Sequence, residues 1–362
     1  MTRLTVDIKR PSELSSLERE AWKTFCAANP VLGSPYFALE FAECCEEARD
    51  DTRVLVILRA ARPVGFLPLQ IGKIGCVRPL GGPLGDLHGL ICEPTTELDL
   101  REVLAAAHIP MFDFNSGLVS QASFAEAAHD VEGSWVIDLQ DGFEAWQAAR
   151  KSVAPKVMKN LRTRRRRLEE LEGGFRFVMA DTSAHAFETL IEWKRAQYHR
   201  TNVFDVFSVD WTRRLLEAIR RRESDSFYGV CSSLYIGDKI AAVHFGMATD
   251  RLCHYWFPAY SGDASHLSPG LLLLVEMSKT AAELGLQGVE LGPGNYGFKK
   301  DLASYQVGIG SGYIGQPSMQ LITRQLTQAV VRGIETVPIG PIRDWPGKAV
   351  RKLDRLAGFY AA

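Results

Sequence analysis

Two short stretches in the second half of the chain combine residue types that could bind a ligand and act on it. The first, Ser268-Pro269-Gly270, follows a polar loop and opens an apolar segment with helical character. Serine at the N-cap and proline in the first turn define a helix start, and Gly270 lets a ligand approach the backbone. The free N–H groups and positive pole of such a helix suit a diphosphate or another anion. Ser-Pro-Gly is also a common cap without a ligand.

The second stretch runs from Glu290 to Lys299 and reads ELGPGNYGFK. Its carboxylate ends an apolar strand, a glycine-rich turn follows, and a lysine comes next to Phe298. A cation held beside rigid backbone suits a site where negative charge develops on an acyl oxygen. The alternative is a solvated lysine in a surface turn, because the next two residues are also charged.

Three histidines near these stretches are candidate general bases, because imidazole titrates close to neutral pH. They are His244 and His254, within apolar strand-like segments, and His266, just before the helix start. In apolar strands a hydrogen-bonded core histidine is the more common case, and His266 could instead contact a phosphate. The histidines lack metal-ligand spacing, so we expect no metal. The absence of a Gly-x-Ser-x-Gly motif favours direct transfer over a covalent acyl-enzyme.

Alternating strand and helix patterns predict a mixed α/β (α+β) fold with a mixed sheet. Each half of the sequence contains a predicted hairpin, a weak internal repeat that fits tandem domains or mere coincidence. A helix should begin at Ser34-Pro35. The predicted elements of the second half are Phe227–Ile236 and Lys239–Met247, joined at Gly237-Asp238, the strand Leu252–Tyr260, the helix Pro269–Leu284, the strand Gly288–Leu291, and a strand pair around Tyr305–Ile314. The hairpin of the first half is Arg53–Arg59 with Val64–Ile71.

A basic run between Arg150 and Arg167 contains no acidic residue. A solvated helix face is the usual meaning of such a run. The length of the run and its purely positive charge favour an anionic partner. This partner could be a sugar nucleotide, a lipid-linked glycan, RNA or a membrane surface. The candidate substrate-binding residues in the run are Arg162, Arg165 and Arg166.

Length and composition set wider limits. The 362 residues suggest two domains, and the net charge of −1 gives no overall attraction to nucleic acid or anionic membranes. We find no secretory signal and no apolar run that could span a bilayer. The seven cysteines form no C-x-x-C pair, which favours a reduced cytoplasm. The basic tail, Leu321 to Ala362, could lie on the inner membrane as amphipathic helices or dock on the protein itself.

Taken together, these motifs resemble the CelD-like (cellulose-biosynthesis-associated) acetyltransferases, a branch of the GNAT superfamily related to the Fem peptidyl transferases. The resemblance covers roughly Ala154 to Ile314 and rests on the basic helix, the aromatic strand ending at Tyr260, the LSPG helix start and the LGPGxxxFK turn. The first half is similar at Ser34-Pro35-Tyr36-Phe37, GFLPL (65–69) and PLGGPL (79–84).

The resemblance implies tandem GNAT-like domains over residues 1–140 and 141–315, followed by a basic helical tail over 316–362. It places acyl-CoA along the strand Leu252–Tyr260 and its diphosphate at the helix start, with Tyr260, Leu267, Ser268, Pro269 and Gly270 as cofactor-binding residues. It also places Phe298 and Lys299 near the acyl-transfer centre. The glycine-rich Q/R-x-x-G-x-G/A loop of ordinary GNAT enzymes does not occur in this sequence.

We therefore expect transfer of an acetyl or other acyl group from acyl-CoA to an amine or hydroxyl, on a saccharide or cell-envelope precursor. Lys299 would stabilise the oxyanion, and Glu290 or His254 would take the proton. One alternative is a Fem-type transferase that uses aminoacyl-tRNA, with the arginine run holding RNA. Another is a non-catalytic protein of this fold that takes part in exopolysaccharide assembly.

Overall fold

The computed structural model describes residues 4–72, 75–171, 173–336 and 358–360 of the chain. Their contacts define two units. The first contains the chain up to Leu32, Cys45–Val131 and the residues from Ile309 onward. The second contains Gly33–Cys44 and Glu132–Gly308. In the described part of the chain, no helix is both long enough and apolar enough to cross a membrane.

The strands alternate with helices along the chain, which confirms the predicted mixed α/β fold. The strands are β1 (Leu4–Lys9), β2 (Thr52–Arg59), β3 (Arg62–Ile71), β4 (Val77–Pro79), β5 (Met111–Leu118), β6 (Ala128–Asp138), β7 (Phe175–Val178), β8 (Tyr228–Ile236), β9 (Lys239–Ala248), β10 (Leu252–Tyr260), β11 (Gly288–Gly292) and β12 (Tyr305–Gly315). The α-helices are α1 (Ser16–Ala28), α2 (Leu39–Ala48), α3 (Leu100–Ala106), α4 (Ala122–Ala127), α5 (Phe143–Val153), α6 (Pro155–Glu169), α7 (Ala184–Arg200), α8 (Asp210–Arg220), α9 (Pro269–Glu283), α10 (Gly297–Leu302) and α11 (Met319–Thr336).

The first unit is built on the strands β1 to β5 in sequence order, with the end of β12 beside β5. Its pairs are antiparallel except for β4 with β5. The apolar, largely β-branched sequence of β2 suits a strand buried on both faces. Leu55, Leu67, Phe112 and Phe124 belong to one buried cluster, which forms the core of this unit.

The second unit carries the sheet order β6-β11-β10-β9-β8-β7, in which only β10 and β11 run parallel. The apolar helix α9 contacts β8 to β11, and its leucines join Cys253 and Tyr255 in the main core. Alternate side chains of a strand point to opposite faces. On the other face, α7 contacts β9 and β10, and its Phe187 ring lies 5.4 Å from Phe245.

The middle of β10 carries an irregularity that shapes this unit. The register between β10 and β9 shifts between His254 and Phe257, and such a bulge re-aims side chains and frees backbone groups. Here the Trp256 N–H donates to Nε2 of His244, 3.2 Å away on β9. A Cβ at Gly246 would lie 1.9 Å from the carbonyl oxygen of His254. The bulge therefore depends on a histidine acceptor and a glycine in the neighbouring strand.

Local patterns predicted most elements of the second unit correctly. The hairpin at Gly237-Asp238 and the strand Leu252–Tyr260 are confirmed, and the helix from Pro269 ends one residue earlier than predicted. The predicted last strand pair is wrong, because Tyr305–Gly315 forms one continuous strand. The helix predicted at Ser34-Pro35 is a short 3-10 turn, Pro35–Phe37, and α2 begins only at Leu39.

The contact-based units differ from two consecutive domains with boundaries after residues 140 and 315. The segment Gly33–Cys44 belongs to the second unit, and the residues from Ile309 belong to the first. Of the predicted helical tail, Met319–Thr336 is a helix. The rest of the predicted tail, apart from residues 316–318 and 358–360, lies outside the described residues.

Candidate active site

The site is built where the two parallel strands of the second unit separate. β10 and β11 pair at Leu252, Cys253 and His254, which lie opposite Gly288, Val289 and Glu290. Beyond this point no further pairs join them, and β10 continues to Tyr260. The register of β11 with β6 also shifts directly after Glu290. The described residues of β10 beyond His254 therefore have no ladder partner on β11.

His254 and Glu290 form the last pair before the strands separate, and both side chains are buried. Nδ1 of His254 lies 3.6 Å from Oε2 of Glu290. The Ser34 hydroxyl donates to the same Oε2 over 2.8 Å, and the Tyr36 hydroxyl lies 3.1 Å from Nε2 of His254. The result is a buried row of four polar side chains, Ser34–Glu290–His254–Tyr36.

The proton arrangement of this row follows from its donors and acceptors. If Tyr36 donates to Nε2, the neutral imidazole carries its proton on Nδ1, which faces the Glu290 carboxylate. A carboxylate beside Nδ1 orients the ring and favours the imidazolium form when Nε2 takes up a proton. The arrangement can therefore accept a proton through Nε2 or through the Tyr36 hydroxyl bound there.

His244 has a different, structural role. Burial, followed by the effect of nearby His254, lowers the pKa of His244 to about 3. Its ring stays neutral and stacks on Tyr255 at 4.6 Å, while Nε2 accepts the bulge N–H of Trp256. His244 is thus a core histidine, one of the two alternatives that the sequence left open.

Two buried thiols lie close to this region, and neither is suited to nucleophilic attack. Burial raises the pKa of Cys231 to about 12 and that of Cys253 further still. The thiolate is the reactive form, so both remain protonated at neutral pH. Among the described residues, no group of three metal-ligating side chains comes together.

The start of α9 brings together most of the predicted cofactor-binding residues. Ser268 has a left-handed backbone (φ 52°), and its hydroxyl does not cap the helix. Instead it lies 2.6 Å from Nη1 of Arg164, which donates to it. Gly270 lies in the first turn, where N–H groups lack intrahelical acceptors, and the half-exposed Tyr260 ring packs beside it. Pro269 and Leu267 are buried beneath this surface, and His266 is exposed.

The arginines of α6 separate into two groups. Arg165 is bound by Glu276 and Glu169, at 2.7 and 2.6 Å, and the exposed Arg166 pairs with Glu170 at 3.2 Å. These two predicted substrate-binding residues therefore already have acidic partners, whereas Arg164 reaches the start of α9. Arg162 lines a groove of about 440 Å³ between α5, α6 and α9, together with Lys151, Lys159, Phe143 and Leu272.

Lys299 is buried, and its ammonium binds the backbone of the glycine-rich turn. Its Nζ lies 3.1 Å from the carbonyl oxygen of Gly292 and 2.6 Å from that of Pro293. The indole N–H of Trp135 donates to the carbonyl of Gly294, 3.0 Å away. Lys299 is therefore not the solvated surface residue of the alternative interpretation, and its charge lies under the backbone that follows Glu290. Phe298 packs against the main core.

Comparisons with known proteins bear on the fold of the chain. Residues 155–300 match the model of an acetyltransferase (GNAT) domain, and no curated protein matches the sequence significantly. The solved structure of FemX is 11% identical, with a TM-score of 0.57 over 85% of this chain and 99% of that one. The C-terminal domain of a proposed lysylphosphatidylglycerol synthetase from Agrobacterium fabrum is 12% identical, with a TM-score of 0.50 over 86% of this chain and 95% of that one.

The chain has the GNAT fold. At these identities the two solved structures show the fold alone. Residues 155–300 match the GNAT domain model, whereas the relation to Fem proteins and the narrower CelD-like branch remain predictions.

Sequence reasoning found His254 and Glu290 but missed three partners within the second unit. Ser34 and Tyr36 are 256 and 218 residues away from the side chains they bind, although the Ser-Pro-Tyr-Phe motif was visible. Arg164 was one of four consecutive arginines, and no signal in the sequence alone marked it as the one facing Ser268.

The Ser34–Glu290 hydrogen bond gives a direct test of the buried row. We expect Ser34→Ala to lower the free energy of unfolding by about 1–3 kcal/mol, because Glu290 would lose a buried donor. Ser226→Ala removes a similar hydroxyl–carboxylate bond, to Glu40, at an exposed site and should cost less than about 1 kcal/mol. Urea unfolding of both variants measures the difference. Equal losses in the free energy of unfolding would show that the buried hydrogen bond contributes no more to stability than the exposed one.

Proposed function

We propose that this protein transfers an acyl group from acyl-CoA to an amine or hydroxyl acceptor, with His254 and Glu290 at the chemical centre. The observation that carries the proposal is the separation of β10 from β11 immediately after these two residues. It leaves strand backbone available beside a proton acceptor, on a domain that matches the GNAT family model.

The donor fits this gap by its chemistry. The pantetheine arm of CoA is extended and carries amide groups, which can pair with free N–H and C=O groups as an added strand would. The diphosphate would lie at the start of α9, where the N–H of Gly270, the Ser268 hydroxyl and the Arg164 guanidinium converge. Acyl-CoA, with acetyl as the first choice, is therefore the proposed donor.

The reaction would proceed by direct attack. The acceptor nitrogen or oxygen attacks the thioester carbonyl and forms a tetrahedral oxyanion, while the acceptor proton passes to the His254–Glu290 pair through Nε2 or the Tyr36 hydroxyl. Collapse of the intermediate breaks the C–S bond, and the leaving CoA thiolate takes up the proton held by the His254–Glu290 pair, which restores the pair. The protonated thiols of Cys231 and Cys253 support this route over an acyl-enzyme.

Lys299 is the proposed source of positive charge for the oxyanion. Its ammonium binds the Gly292 and Pro293 carbonyls, so it also fixes the turn that follows Glu290. A buried cation acts over several ångströms, because screening by water is weak there. Both effects would favour the charged intermediate over the neutral substrate.

The acceptor is proposed to be a saccharide or another cell-envelope precursor, met in the cytoplasm or at the inner face of the membrane. A second candidate is aminoacyl transfer from tRNA. It is favoured by the basic residues Lys151, Lys159 and Arg162, which line one groove together with Glu144 and Glu276. Salt-sensitive tRNA binding without CoA binding would select it.

Donor binding is tested by calorimetry with acetyl-CoA. We expect Arg164→Met to weaken binding about tenfold or more, because a charge-assisted hydrogen bond to the diphosphate would be lost. Arg166→Met is the matched control, since Arg166 is exposed and pairs with Glu170, and its affinity should stay within about twofold. Unchanged affinity in a folded Arg164→Met protein, or no binding by the wild type, would contradict the proposed donor site.

Lys299 is tested against its neighbour. We expect Lys299→Met to lower turnover about 10²–10³-fold, the usual effect of removing an oxyanion-stabilising donor, with Lys299→Arg partly restoring it. The exposed Lys300 supplies the control, and Lys300→Met should retain nearly full turnover. Steady-state rates with acetyl-CoA and a panel of amines measure the effect. Full activity in Lys299→Met would remove Lys299 from the mechanism.

A further inference from the structure

A buried lysine on α7 lies outside the machinery described so far. Lys194 is only 8% exposed. Its ammonium lies 3.1 Å from Oε1 of Gln197, and it sits over the Tyr198 ring at 5.0 Å from the ring centre. Neither neighbour carries a negative charge, and no carboxylate within the described residues pairs with it. Gln197 and Tyr198 are themselves half-exposed, so the ammonium lies just below the surface.

A row of aromatic rings connects this lysine with the candidate active site. Tyr198 lies 6.3 Å from Phe207, and Phe207 lies 5.4 Å from Phe257 on β10. Phe257 is followed by Trp256 at 4.8 Å and by Tyr36, 6.0 Å from Trp256. Tyr36 in turn contacts His254. The helix α7 also packs on β10 and β9, so Lys194 is on the face of the sheet that this aromatic row covers.

The charges around α7 leave Lys194 without a counter-ion. Asp205, next to the 3-10 turn that packs on α7, is bound by Arg195 at 2.9 Å and lies 3.9 Å from His199. On β10 and β9, His254 lies beside Glu290 and His244 is neutral. On β8, Cys231 is a protonated thiol. Burial lowers the pKa of Lys194 to about 8, so the amine is largely charged at neutral pH.

A buried cation without a counter-ion is costly, and proteins normally pair such a group. The cost is removed when an anion from outside the chain occupies the position. We infer that Lys194 binds an oxyanion of the acyl acceptor, a phosphate or a carboxylate. The identification of the anion as part of the acyl acceptor rests on the proposed function. The anion site itself can be tested without any acyl transfer.

The experiment follows the titration of Lys194 in the full chain by NMR, with ¹³C-labelled lysine. Loss of one ¹³Cε signal in Lys194→Arg assigns the resonance, and Lys239, exposed on β9, is assigned in the same way as an internal control. The pH titration is carried out in chloride, in sulfate as the phosphate probe, and in acetate as the carboxylate probe, at equal ionic strength. No acyl-CoA is present.

An anion that binds the charged amine more tightly than the neutral amine raises the pKa of that amine. A tenfold difference in affinity raises the pKa by one. We expect the Lys194 midpoint to lie near pH 8 in chloride and to rise by about one unit in sulfate or acetate, whereas Lys239 does not move. A rise with sulfate alone assigns a phosphate-bearing acceptor, and a rise with acetate alone assigns a carboxylate-bearing one.

A midpoint that is the same in all three salts would overturn the inference, because no oxyanion would then bind preferentially at Lys194. That result would leave donor binding at Arg164 untouched. Conversely, the chain could bind no acetyl-CoA and still show the rise in the pKa of Lys194. That result would contradict the proposed function and support the oxyanion site. The two failures are therefore distinguishable.

Discussion

The structure of the second unit depends on one irregular point, the bulge in β10 after His254. A regular strand there would continue its ladder beside β11 and would leave no gap between the two. The bulge frees the Trp256 N–H, which needs an acceptor in a dry interior, and His244 supplies it from β9. The low pKa of His244 keeps that nitrogen available as an acceptor over the whole physiological range.

The buried carboxylate of Glu290 lies at the same point, and neighbouring polar side chains stabilise it. Glu290 ends the paired part of β11, and an isolated carboxylate there would be expensive. Ser34 and His254 lie next to one of its oxygens, and Tyr36 completes the row. Both hydroxyls come from Gly33–Cys44, which the contacts assign to the second unit. The segment Gly33–Cys44, far from Glu290 in the sequence, thus completes the chemical centre.

Local signals predicted the frame of the site, and long-range packing decided its details. Gly237-Asp238 and Ser268-Pro269-Gly270 mark a turn and a helix start, because glycine and proline restrict the backbone where they stand. Ser268 shows the limit of such reasoning: it occupies the expected position, but its left-handed backbone turns the hydroxyl toward Arg164 instead of the helix.

The roles of individual side chains depended on distances that no local pattern contains. The run of four arginines predicted an anionic partner, yet Arg165 and Arg166 meet acidic residues, and the rotation of α6 directs Arg164 to α9. No sequence motif singled out Lys194. Its significance comes from burial without a counter-ion, which requires the packing of α7 on the sheet.

Hydrogen exchange with and without acetyl-CoA examines the gap between β10 and β11 itself. Backbone N–H groups that pair with a bound ligand exchange more slowly. We predict slower exchange in Phe257–Gly270 and in the turn after Glu290, with little change in β7 and β8 of the same sheet. Exchange that is unchanged in Phe257–Gly270 at saturating acetyl-CoA would contradict a donor bound between these strands.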